Sequence, residues 1–139
     1  MLLTLALLAI PAGHTASGTN APNDTHMTQD SVMTAKALYD EFKTDAEAAT
    51  RKYGGKMMTV TEFVVYTGPD VYALPSVELS ERRGGKSRML CVLPFSDYLK
   101  LRKVSKGDGV RIRGQVRGFY EKGDQVLLKQ CEILEDPVQ

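Results

Sequence analysis

The spacing of apolar residues changes character three times along the chain. Residues 2–10, LLTLALLAI, are apolar almost without interruption, a run too short for a bilayer, which takes about 20 residues to cross. The small residues of PAGHTASG follow, as in the cleavage region of a secretory signal. The expectation is a signal peptide over residues 1–17. No Lys or Arg precedes the run, so a buried N-terminal strand or helix is the competing reading. The next stretch, TASGTNAPNDTHMTQD, is polar and aperiodic and reads as a tether over residues 18–30. The folded domain is expected over residues 31–136.

From residue 31 the apolar positions fall three and four apart: Ala35, Leu38, Tyr39, Phe42, Ala46, Ala49 and Tyr53. Asp40, Glu41, Lys43, Asp45 and Glu47 take the other face, as an amphipathic helix requires. Gly54 and Gly55 then stop it. The aromatic stripe is expected to pack on whatever the rest of the chain builds.

After Gly55 the period becomes two, in five segments: KMMTVTEFVVYTG, VYALPSVELSE, KSRMLCVLPF, GVRIRGQVRGFY and QVLLKQCEIL. Each is rich in β-branched, aromatic or leucine residues and bounded by turn formers, which predicts five strands. Between the third and fourth, SDYLKLRKVSKGD predicts a short helix capped by Ser96, with Leu99 and Val104 on its buried side. Three strands, a helix and two strands in a chain of this size give a mainly β fold. The expected architecture is a five-stranded Greek-key barrel, the OB-fold, with an N-terminal amphipathic helix and a short helix between strands three and four.

ALYDEF, KYGGKMMTVTEFV, MLCVLPF, LRKVSKGDGVRIRGQVRG and VLLKQCEIL together resemble the tRNA_anti-like OB-fold family of small exported bacterial proteins, over about residues 37–134. In that family a helix ends in Tyr before a Lys-led first strand, a Lys-Gly turn opens strand four, and a cysteine closes strand five. Tyr53, Lys56, Lys106 with Gly107, and Cys131 hold those places. The first strand departs from the family's Val-Thr-Gly, reading Val60, Thr61 and Glu62. Glycine relieves the curl of a barrel strand, so the curvature must be met elsewhere. The resemblance implies export; the family name records a likeness to anticodon-binding domains and does not imply that tRNA is bound.

The fourth segment alternates Val110, Ile112, Gly114 and Val116 with Arg111, Arg113, Gln115 and Arg117. In a barrel the first set faces inward and the arginines outward. A solvated face accounts for the alternation but not for the choice of arginine. Residues 54–135 hold 14 Lys and Arg against 10 Asp and Glu, although the whole chain carries only +1. Three arginines each neutralising one phosphate would give a salt slope of about −2, so fourfold more salt weakens binding roughly twentyfold. Stacking adds about 1–3 kcal/mol per base where aromatics are exposed. The candidates are Tyr66 and Tyr72, flanking the TGPD turn, and Phe119 and Tyr120, entering the EKGD turn; both turns border the usual OB binding face. The basic turn SERRGGKSR reads as a solvated hairpin tip.

Cys91 and Cys131 fall on the third and fifth segments, neighbours in an OB barrel. A disulfide between them is one expectation, closing a loop of about 40 residues for roughly 4 kcal/mol. Two buried free thiols are the other. His14 and His26 are the only histidines and precede the predicted domain. No histidine metal site or Ser-His-Asp triad can therefore be assembled within it, and no phosphate-binding glycine loop is present. Glu62, the one carboxylate in a core-like strand, is expected to point outward or sit at a bulge; turned inward, its pKa would rise.

These readings give a non-enzymatic exported binding module with no cofactor. Its partner is a protein, glycan or small ligand held on the face between the TGPD and EKGD turns. The alternative is a weak, sequence-tolerant binder of single-stranded nucleic acid through Arg111, Arg113 and Arg117.

Overall fold

A computed structural model describes residues 31–134. The expected signal segment and tether lie outside the described residues. A short strand, β1 (Ser31–Val32), leads into α1 (Ala35–Thr44) and α2 (Ala46–Tyr53). Then come β2 (Met57–Pro69), β3 (Pro75–Ser80) and β4 (Met89–Val92), a 3-10 helix (Phe95–Lys103), β5 (Gly109–Tyr120) and β6 (Gln125–Ile133). The sheet runs β1-β2-β3-β4-β6-β5, and pairing of β5 with β2 closes it into a barrel. The β4–β6 pair is parallel and the other barrel pairs are antiparallel. The five predicted strands and the OB-type closure are thus present.

The expected single helix is two. Asp45 is extended (φ −155°, ψ 94°), and its carboxylate accepts from the Ala48 N–H at 2.9 Å, so it caps α2. An Asp at such a break satisfies backbone donors that a new helix would leave open. The two helices pack on the barrel through Leu38, Tyr39, Phe42, Ala49 and Tyr53. Burial of side chains such as Leu38 and Phe42 contributes about 1.5–3 kcal/mol each.

The curl that the first strand lacks a glycine for is met by a bulge. The β2–β3 register shifts between Val64 and Tyr66, and an extra residue bends a strand and increases its twist. Two more shifts lie in the β5–β6 ladder, beside Arg117 on one strand and Gln130, at φ 52°, on the other. The second reverses side-chain parity, so that Cys131 joins Val126 and Leu128 in the core.

Three expectations are corrected. The 3-10 helix begins after Pro94 with no side-chain cap, so Ser96 does not cap it. Its buried residue is Leu101 together with Val104, while Leu99 is exposed, because three residues per turn rather than 3.6 put position 101 in line with 104. Cys91 and Cys131 are free thiols. In the β4–β6 ladder Cys91 stands opposite Leu128 rather than Cys131, and the two thiols lie side by side, unbridged.

Candidate binding groove

Tyr66 sits at the bulged end of β2, where the chain turns over residues 70–74 into β3. Its hydroxyl donates to the Pro69 carbonyl at 2.9 Å. A Cβ on Gly68 would come within 2.8 Å of that hydroxyl, so the ring lies across the turn only because residue 68 is glycine. Across the barrel face Tyr120 does the same with Gly123, where an added Cβ would lie 2.6 Å from the ring. The two turns predicted to border a binding face thus each carry a tyrosine packed close against a glycine.

Between them runs a groove of about 540 Å³ along the outer face of β3, β4 and β6. Leu74, Leu90, Val92 and Leu127 make its apolar floor, and Tyr66, Tyr72 and Tyr120 its aromatic sides. Lys86 and Lys129 lie along it, as do Asp70 and Glu78, so its charges balance. Asp70 is committed to the turn, its carboxylate accepting from the N–H groups of Tyr72 (2.8 Å) and Leu74 (2.9 Å).

The far turn is clamped. Asp124, in the left-handed region at φ 53°, accepts from Lys86 Nζ at 2.6 Å, Tyr39 Oη at 2.7 Å and Lys43 Nζ at 3.1 Å. These donors, Lys86 first, hold its carboxyl well below the usual carboxylate range. The β5–β6 turn is thereby tied to α1 and to the β3–β4 loop.

The structure divides the sequence-predicted site residues. Tyr66, Tyr72 and Tyr120 converge on the groove. Phe119 does not: it stacks on Phe42 (centroids 6.4 Å) and tilts against Tyr39 (5.9 Å), fixing α1 to the barrel. Arg111, Arg113 and Arg117 face outward on β5 as predicted, but outside the groove lining. Arg111 is paired in register with Thr61, and Arg113 with Thr59 on one side and Glu132 on the other. The floor residues Leu90, Val92 and Leu127 were not singled out from sequence, although MLCVL and VLL are apolar on both faces, the pattern of a strand covered on both sides.

Glu62 is also corrected. It points inward, is 5% exposed, and accepts from the Ala35 N–H at 2.7 Å. The bulge that would have turned it outward lies further along β2. Burial, and secondarily Glu81, raise its pKa against the opposing Ala35 bond. The neighbouring Cys131 thiol and burial push the Cys91 thiol well above its ordinary value, which makes it a poor nucleophile. Among the described residues no group of His, Cys, Asp and Glu could hold a metal ion, and no helix is long and apolar enough to cross a membrane.

The sequence matches the tRNA_anti-like family over residues 2–132. Among solved structures, the chain is similar to a candidate nucleic acid-binding lipoprotein of Klebsiella pneumoniae (TM-score 0.61, 16% identity), covering 82% of this chain and 99% of that one. It is also similar to a candidate aspartyl-tRNA synthetase of Leishmania major (TM-score 0.49, 11% identity; 81% of this chain, 22% of that one). An OBody bound to hen egg-white lysozyme is a third (TM-score 0.46, 21% identity; 61% and 85%). No curated protein matches the chain significantly in sequence.

Proposed function

We propose that this chain, which belongs to the tRNA_anti-like family, is a non-enzymatic binding module that takes its ligand in the groove between the β2–β3 and β5–β6 turns. One observation carries the reading: Tyr66, Tyr72 and Tyr120 converge around the apolar floor of Leu74, Leu90, Val92 and Leu127. A largely apolar recess with a few placed polar groups is the usual form of a ligand site. The balance of two lysines against two carboxylates favours a ligand with a flat apolar body over a polyanion.

The test is equilibrium binding of two probes, the apolar dye anilinonaphthalene sulfonate and the oligonucleotide dT12. The dye binds, and Leu127→Glu weakens it at least tenfold while Arg111→Glu with Arg117→Glu does not. Failure of the dye to bind, or loss in the arginine variants, contradicts the proposal.

Single-stranded nucleic acid is the second reading. It is favoured by the exposed Arg111 and Arg117 on β5 and by the name of the Klebsiella neighbour. It requires dT12 binding that falls with salt at a slope of about −2 and is lost in the arginine variants.

Export is part of the same proposal, supported by the apolar run of residues 2–10 and the small residues after it. The lipoprotein neighbour agrees with it. N-terminal sequencing of the native protein is expected to find a mature start near residue 18; an intact residue 1 in the cytoplasmic fraction overturns it.

A further inference from the structure

Five of the six large apolar side chains exposed among the described residues lie on two segments, the β2–β3 turn (Val71, Tyr72) and the 3-10 helix (Phe95, Tyr98, Leu99). Both come to one end of the barrel. Ser76 is in register with Val92, and the Leu93 N–H donates to the Pro75 carbonyl at 2.9 Å, so the exit of β4 abuts the start of β3.

The helix carries an apolar row that runs off the edge of the protein. At three residues per turn, positions three apart align, giving the row Phe95, Tyr98, Leu101, Val104. Leu101 and Val104 are buried against the barrel, whereas Phe95 is 71% exposed and Tyr98 40%. Their rings lie 6.5 Å apart. The adjacent row adds Leu99, 67% exposed, and then Arg102. Lys100, Lys103 and Lys106 are also exposed. Asp97 is the one acid before Asp108, and it is paired with Lys100 at 3.2 Å.

We propose that this end docks on an anionic lipid surface, with Phe95, Tyr98 and Leu99 entering the interface and Arg102 and Lys103 meeting the headgroup phosphates. Apolar and aromatic side chains beside Lys and Arg on one short segment are what such an interface selects. A second copy of this chain would set the same basic segments against each other. Nucleic acid would stack a base on Phe95 or Tyr98 but would leave the aliphatic Leu99 uncovered. The site shares no side chain with the floor of the groove, so the two proposals fail separately.

The experiment is co-sedimentation of the full chain with vesicles of phosphatidylcholine alone and of phosphatidylcholine with phosphatidylglycerol in equal parts. Binding is expected to rise with phosphatidylglycerol. Replacing two basic residues, Arg102→Ala with Lys103→Ala, is expected to lower partition about 30-fold. Phe95→Ser with Leu99→Ser lowers it at least tenfold, and the groove variant Tyr66→Ala leaves it unchanged. All four replaced residues of the docking segment are exposed, so the fold is retained, as circular dichroism checks. Binding that ignores phosphatidylglycerol, or survives both double variants because residues 2–10 carry it, overturns the proposal. So does a dimer lost in Phe95→Ser, or dT12 retention lost in Arg102→Ala without vesicle binding.

Discussion

The Glu62 carboxylate, inside the rim of the barrel, accepts the backbone N–H of Ala35, the first residue of α1, at 2.7 Å. A residue 27 positions away in sequence thus closes a donor that the start of a helix leaves open, and it fixes where α1 meets the barrel.

The two forms of Glu62 should behave oppositely in a pH series. Its pKa is raised by burial, so the folded state holds the proton more tightly than the unfolded chain. Its contribution to stability is full below the ordinary carboxylate range and is lost as pH rises through the raised value. Glu62→Gln keeps an acceptor and carries no charge, so urea denaturation should find it gaining on the wild type between pH 4 and pH 8. Glu62→Leu strands the Ala35 N–H and is expected to lose about 1–2 kcal/mol at either pH. Parallel curves for wild type and Glu62→Gln would show that the carboxyl does not titrate in this window.

Asp124 carries the opposite sign. Lys86, Tyr39 and Lys43 depress its pKa, so its contribution is present above the ordinary value and lost as pH falls below it. Asparagine tolerates the left-handed backbone at this position. Asp124→Asn is therefore expected to free the turn without straining it, raising amide exchange around residues 120–125 and at the Lys43 end of α1. The difference from wild type should shrink below about pH 3.8, where the free carboxylate is itself half protonated. Unchanged exchange at pH 7 would mean the clamp holds nothing.

Gly114 and Cys131 are expected to be coupled. A Cβ on Gly114 would lie 2.5 Å from the Cys131 sulfur and 3.2 Å from Leu128 Cβ, so Gly114→Ala overpacks the core and should cost about 1–3 kcal/mol. Cys131→Ala removes the obstructing sulfur, and the double variant should recover part of the loss, a coupling of about 0.5–1 kcal/mol. Strict additivity in denaturant melts would contradict the packing.

Both thiols are buried, and Cys91 is pushed toward its protonated form. Alkylation by iodoacetamide at pH 8 should label neither in the folded protein and both in urea, as read by intact mass.

Much of this architecture is legible in the sequence because it rests on period alone. The alternation of β5 predicts which side of the strand Ile112 and Arg111 take, and the turns name Tyr66, Tyr72 and Tyr120. What escapes the sequence depends on single residues that break a period. Asp45 fits the polar face of one long helix as well as the cap between two. The extra residue at Gln130 turns Cys131 inward, and the bulge after Val64 leaves Glu62 inward; a one-residue shift reverses every side chain beyond it. Phe119 reads like Tyr120, yet only one of two consecutive strand residues can face a given side, and its side belongs to Phe42 and Tyr39. Leu99 escapes the sequence because a 3.6-residue period does not describe a helix that turns every three residues.

The most direct test of the groove is an amide chemical-shift map of the isotopically labelled chain during titration with anilinonaphthalene sulfonate. The account predicts saturable shifts at Tyr66, Leu74, Leu90 and Leu127, with residues 111–117 of β5 unmoved. Shifts confined to Arg111, Arg113 and Arg117, or to Phe95 and Leu99, would contradict it.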